Sequence, residues 1–133
     1  MDPNAKKVLI IEDDDDMRHS LADGLGELDF QIFQAAEGEA GLGLTLDQQP
    51  DLIVLDLLLP KLDGYKILER IRHYPDPGIA ATKVVILSNL WSDKDILRAQ
   101  ALQIDEYFVK ANTKLDEVFG KVRQLLVPQD GGR

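Results

Sequence analysis

The sequence contains no cysteine, so it holds no disulfide framework, no thiolate metal centre and no cysteine nucleophile. It is also poor in positive charge: 15 lysines and arginines stand against 24 acids, giving a formal charge of −9. A surface of that sign repels phosphates, which argues against direct nucleic acid binding by this domain. No apolar stretch approaches a membrane span, and Met1 to Lys7 lacks the apolar core of a signal peptide. A cytoplasmic address without a membrane partner is the expectation. Internal repeats are absent, and the only low-complexity stretch is the aspartate run at 13–16.

What remains is a chain of 133 residues, 44% apolar, long enough to bury one core. Residues 1–127 read as one domain and 128–133 as a short flexible tail. Three apolar runs each end in charge: Val8, Leu9, Ile10 and Ile11 lead into Glu12 and Asp13, Leu52 to Leu55 into Asp56, and Tyr107 to Val109 into Lys110. Short apolar runs alternating with helical patterns read as buried strands of a parallel sheet. Ligands bind beyond the carboxyl ends of such strands. The three distant stretches should therefore converge on one site.

Between the runs, helical spacing recurs. Met17, Leu21, Leu25 and Leu28 mark a first helix with acids at its start. Phe30 to Ala35 reads as a strand, followed by a weak helix through Ala40, Leu42, Leu44 and Leu46, in which Gly41 and Gly43 each cost about 1 kcal/mol against alanine. Asp51 to Asp56 is the next strand, and Asp63-Gly64 turns into a helix carrying Tyr65, Ile67, Leu68 and Ile71, broken by Pro75, Pro77 and Gly78. Lys83 to Ser88 and Asp105 to Lys110 are the last two strands, separated by a helix through Ile96, Leu97 and Leu102; a final helix carries Leu115, Val118, Phe119, Val122 and Leu125. Five strands alternating with five helices make a doubly wound α/β fold on a five-stranded parallel sheet.

Glu12, Asp13 and Asp56 brought to one sheet edge would repel one another unless protonated or bridged by a cation. Oxygen-only ligands favour a hard ion, and magnesium suits a few carboxylates with water and a phosphate. Lys110 and the Ser88 hydroxyl can bind the oxygens of an incoming phosphoryl group. A carboxylate between a metal and two such donors is a candidate nucleophile, and Asp56 is the central one.

These residues resemble a known family. Ile10-Ile11-Glu12-Asp13-Asp14 before a helix, Leu55-Asp56 with Pro60 and Asp63-Gly64, Ser88, and Tyr107-Phe108-Val109-Lys110 are similar to the receiver domain of two-component response regulators, from about Lys7 to Val127. The resemblance implies a flavodoxin-like fold with strand order 2-1-3-4-5. It implies that Asp56 accepts a phosphoryl group from a sensor histidine kinase or histidine phosphotransfer protein. Asp13 would then bind Mg2+ directly, Glu12 mainly through water, and the Leu58 carbonyl would complete the protein ligands. Ser88 and Lys110 would contact the phosphoryl oxygens, and Ser88 with Tyr107 would act as the switch that remodels the face of the fourth helix, fifth strand and last helix. A phosphorylation-dependent homodimer or another protein partner would read that face.

Two positions depart from the family. Ala111 follows Lys110 where proline, often after a cis bond, is usual, and Asn89 follows Ser88 where a smaller residue is usual. Plainer alternatives exist for each site residue. Glu12 and Asp13 could cap the next helix, Asp56 could end a strand, Ser88 could be a small filler, Lys110 a surface lysine and Tyr107 a packing aromatic. The convergence of Glu12, Asp13, Asp56, Ser88 and Lys110 weighs against them.

Three functions compete. A phosphorylation switch, which catalyses only its own phosphorylation and dephosphorylation, leads. A magnesium-dependent phosphatase of the haloacid dehalogenase type would need a second aspartate two residues beyond Asp56, where Leu58 stands. A degenerate, unphosphorylated interaction module is kept open by Asn89 and Ala111. His19 and His73 have no ligand partner in the pattern, and Trp91 reads as a partner contact or a lid. No output module follows the last helix, so the chain is a stand-alone receiver or part of a longer protein.

Overall fold

The computed structural model describes residues 2–128, so most of the expected tail, 129–133, lies outside the described residues. Five strands, β1 (Lys7–Ile11), β2 (Gln31–Ala35), β3 (Leu52–Leu55), β4 (Lys83–Ser88) and β5 (Glu106–Val109), form one sheet in the order β2-β1-β3-β4-β5. Every pairing is parallel. β1 and β3 are buried on both faces apart from Lys7, which explains why they read as continuous apolar runs without alternation.

The helices are α1 (Asp15–Gly26), α2 (Gly38–Gln48), α3 (Gly64–Arg72), α4 (Pro77–Ala80), α5 (Asp93–Gln100) and α6 (Leu115–Leu126). Among the described residues the expected five helices are the five longer ones, and the single turn α4 is added to them. The stretch read as a helix breaker contains the short α4: the Asp76 side chain accepts the Gly78 N–H, and Pro77 occupies the first turn, where a missing N–H costs nothing. One core face joins Val8, Ile10, Leu52, Val54 and Val85 to Leu21 and Leu25 of α1 and Val118 and Val122 of α6. The other joins Leu9, Ile11, Ile53, Leu55 and Ile86 to Ile67, Leu68 and Ile71 of α3 and Ala99 of α5. Gly41, read as a weakness of α2, has a reason: a Cβ there would press into the Ile11 side chain, so glycine lets the helix approach β1. Among the described residues no helix is long and apolar enough to cross a membrane.

Candidate functional site

Register brings the site together. Ile11 pairs with Leu55, so the next residues, Glu12 and Asp56, emerge side by side at the carboxyl edge. Lys110 follows β5 at the start of a 3-10 turn, Lys110–Asn112, steadied by the Thr113 hydroxyl donating to the Val109 carbonyl at 2.7 Å. The described residues contain no cis peptide bond, and Ala111 does not displace Lys110. Its Nζ lies 2.6 Å from Glu12 Oε1 and 2.8 Å from Asp56 Oδ2.

Glu12 and Asp56 are 2% and 4% exposed, so this charge is held out of water. Burial pushes the Glu12 carboxyl up to about 7, with the Asp56 charge adding to the rise and the Lys110 ammonium and the Asp14 N–H opposing it. Burial alone would lower the Lys110 ammonium; the two carboxylates outweigh it and hold it above its ordinary value.

Helix capping does not account for the acids. Asp14 caps α1, its Oδ1 accepting the Met17 N–H at 2.8 Å, while Glu12 Oε2 accepts the Asp14 N–H at 3.1 Å. Asp13 is exposed and takes no hydrogen bond or ion pair among the described residues. Carboxylate oxygens of Glu12, Asp13 and Asp56 lie within 4.8 Å of one another. With all three carboxylates ionised, the single Lys110 ammonium would leave the cluster with an excess of negative charge. Apart from the ion pair with Lys110, Glu12 Oε1 is buried without a hydrogen bond. That donor set fits a hard divalent cation of the magnesium kind.

Asp56 Oδ1 accepts the Leu58 N–H at 2.9 Å, which fixes the loop on which the Leu58 carbonyl sits. The Leu58 side chain is 50% exposed. Gly64 keeps α3 close: a Cβ there would collide with the Asp56 carbonyl oxygen. Ser88 is fully buried at the end of β4, and its hydroxyl oxygen receives only a long contact, 3.4 Å, from the Leu90 N–H, leaving its proton available. Asn89 is exposed and borders a cleft of about 520 Å3 with Asp14, Asp16, Met17, Ser20, Lys110, Ala111 and Leu115. Tyr107 is half-buried, its hydroxyl donating to the Leu90 carbonyl at 2.7 Å, and burial raises that phenol. Trp91 is 72% exposed, which rules out a closed lid in this conformation. His19 and His73 are outside the cluster.

The model of the response regulator receiver domain matches residues 8–123. The chain belongs to this family. As a receiver domain of a two-component system it is 33% identical over 120 residues to the DNA-binding dual master transcriptional regulator RpaA of Synechocystis, covering 90% of this chain and 48% of that protein. It is 37% identical over 103 residues to the transcriptional regulatory protein AfsQ1 of Streptomyces coelicolor, covering 77% and 44%. The chain spans about half the length of the curated relatives it matches. The receiver domain of Francisella response regulator 1452 superposes with a TM-score of 0.80 at 28% identity, over 90% of this chain and 95% of that one.

Sequence reasoning missed Tyr65 and Arg72. Both sit in a helical pattern where an aromatic reads as core and an arginine as surface. The Tyr65 hydroxyl donates to the Asp95 carbonyl at 2.8 Å, and Arg72 donates to four backbone carbonyls, of Ala80, Thr82, Leu102 and Gln103. No periodicity signals either bond.

Proposed function

We propose that the domain is a phosphorylation-driven switch in which Asp56 accepts a phosphoryl group from the phosphohistidine of a sensor kinase or a histidine phosphotransfer protein. The observation that carries this reading is Lys110 Nζ bridging Glu12 and Asp56 across two strand ends. In the step, an Asp56 carboxylate oxygen forms a bond to phosphorus as the bond from phosphorus to the donor nitrogen breaks. Glu12, Asp13, Asp56 and the Leu58 carbonyl would hold Mg2+, which supplies positive charge against which an anionic nucleophile meets an anionic donor. Lys110 turns from the carboxylate to a phosphoryl oxygen, and the free proton of Ser88 is donated to another.

Ser88 is thereby drawn from Leu90, whose carbonyl Tyr107 holds, so the change reaches α5, β5 and α6. A protein partner or a second copy reads that face. The chain acts only on its own phosphoryl group and turns over no external substrate; Leu58, where a dehalogenase-type phosphatase needs an acid, supports this.

Incubating the chain with magnesium and a small acyl phosphate and measuring intact mass tests the reading. A single phosphate adduct is expected, absent when magnesium is chelated and absent in Asp13→Ala. An adduct that forms equally well without magnesium contradicts it.

A further inference from the structure

Two tyrosine hydroxyls grip the segment leading from Ser88 into α5, and only Tyr107 belongs to the set read from the sequence. Tyr65, the second residue of α3, donates to the Asp95 carbonyl in the first turn of α5 at 2.8 Å. Its residue is 5% exposed, and the Arg98 guanidinium, three positions further along α5, lies 3.8 Å from its ring centroid. α5 therefore closes on Tyr65 with a carbonyl from its first turn and a cation from its last. Asp95 is also tied to the helix cap, its Oδ2 accepting the Ser92 hydroxyl at 2.7 Å and its N–H meeting Ser92 Oγ at 3.1 Å. Tyr65 itself follows Gly64, which abuts the backbone of Asp56. One side chain thus links the loop carrying the candidate phosphoacceptor to the start of α5.

We propose that Tyr65 is a positioning residue of the switch: by clasping the Asp95 carbonyl beneath Arg98 it holds α5 against α3 and sets the cost of moving that helix when Asp56 is modified. The inference rests on the proposed phosphorylation of Asp56 and the response of α5. A two-state element favours its resting arrangement by whatever contacts are lost on moving, and a ligand selective for the other arrangement binds more weakly by that factor. Removing the clasp therefore tightens binding of a phosphoryl mimic. A contact that served only stability would leave that affinity unchanged or weaken it.

The test titrates wild type, Tyr65→Phe and Arg98→Gln with beryllofluoride in magnesium, read through Trp91, the single tryptophan. Hydrogen exchange of residues 93–100 is measured with and without the mimic. Tyr65→Phe keeps the ring and removes one hydrogen bond of about 1 kcal/mol, so exchange in 93–100 without mimic should rise about fivefold and apparent mimic affinity should tighten by up to about fivefold. Arg98→Gln should shift both in the same direction by less.

Unchanged or weaker mimic affinity in Tyr65→Phe, with α5 of the wild type responding to the mimic, overturns the clasp and leaves the phosphorylation reading standing. A wild type that takes no mimic overturns that reading instead. The exchange of 93–100 without mimic then judges the clasp alone, and an unchanged rate in Tyr65→Phe rejects it.

Discussion

At the amino ends of the strands, Asp51 accepts the Lys7 N–H at 2.8 Å and Asp105 accepts the Val84 N–H at 2.9 Å, while each returns its own N–H to the carbonyl of the same partner. Arg72 adds four bonds to carbonyls at that end. At the carboxyl ends the same residue types are spent differently. Glu12, Asp56 and Lys110 face one another, Asp13 has no partner among the described residues, and Glu12 Oε1 lacks a hydrogen bond. Charge matched to backbone closes one edge of the sheet; charge matched to charge, with an excess of acid, leaves the other edge open to a cation. Buried acids that outnumber their cationic partners are concentrated at sites that bind a ligand or react.

The largest stability effect should come from the closed edge. Arg72→Ala strips four carbonyls of their donor and should lower unfolding free energy by about 2–4 kcal/mol in urea, with phosphate uptake intact. Loss of uptake in the folded variant would blur the contrast between the two edges.

The open edge should reveal itself through pH. The Glu12 carboxyl titrates at about 7 in the fold against an ordinary 4.5, so between those values the native chain keeps a proton that the unfolded chain releases. Its contribution to stability is then complete below the unfolded value and disappears as pH rises through about 7. With magnesium chelated, stability should drop by roughly 2–3 kcal/mol between pH 4.5 and 8, and Glu12→Gln should flatten that slope. An identical slope in Glu12→Gln would assign it elsewhere.

A smaller effect concerns how long the phosphoryl group survives. Hydrolysis needs a water in line with the bond at Asp56, and Leu58 and Leu90 offer it no polar hold. Leu58→Asn should speed decay by roughly tenfold. Asn89→Ala should speed acceptance of small donors by opening the cleft; slower decay in that variant would show that the amide assists hydrolysis instead.

Much of this contrast was legible in the sequence at the open edge. Runs such as Leu52 to Leu55 must be buried, a parallel sheet aligns their ends, and so Asp56 and Lys110 meet although they are 54 positions apart. Side-chain-to-backbone bonds carry no such periodic signal. Asp51 and Asp105 looked like ordinary strand starts and Tyr65 like part of an apolar helix face, while Arg72 carried no signal. The short α4 was hidden for a related reason: Pro77 and Gly78 oppose a helix interior, and the Asp76 cap together with the first-turn place of Pro77 makes one turn favourable there.

Asp51 and Asp56 flank the same strand, one at each edge, so one chemical change can be made at both. Asp51→Asn keeps an acceptor for the Lys7 N–H, and Asp56→Asn removes the charged nucleophile. Intact mass after incubation with magnesium and a small acyl phosphate should show a single adduct in Asp51→Asn and none in Asp56→Asn. An adduct that persists in Asp56→Asn at the wild-type level, or one lost in a folded Asp51→Asn, would contradict the assignment of Asp56 as the phosphoacceptor.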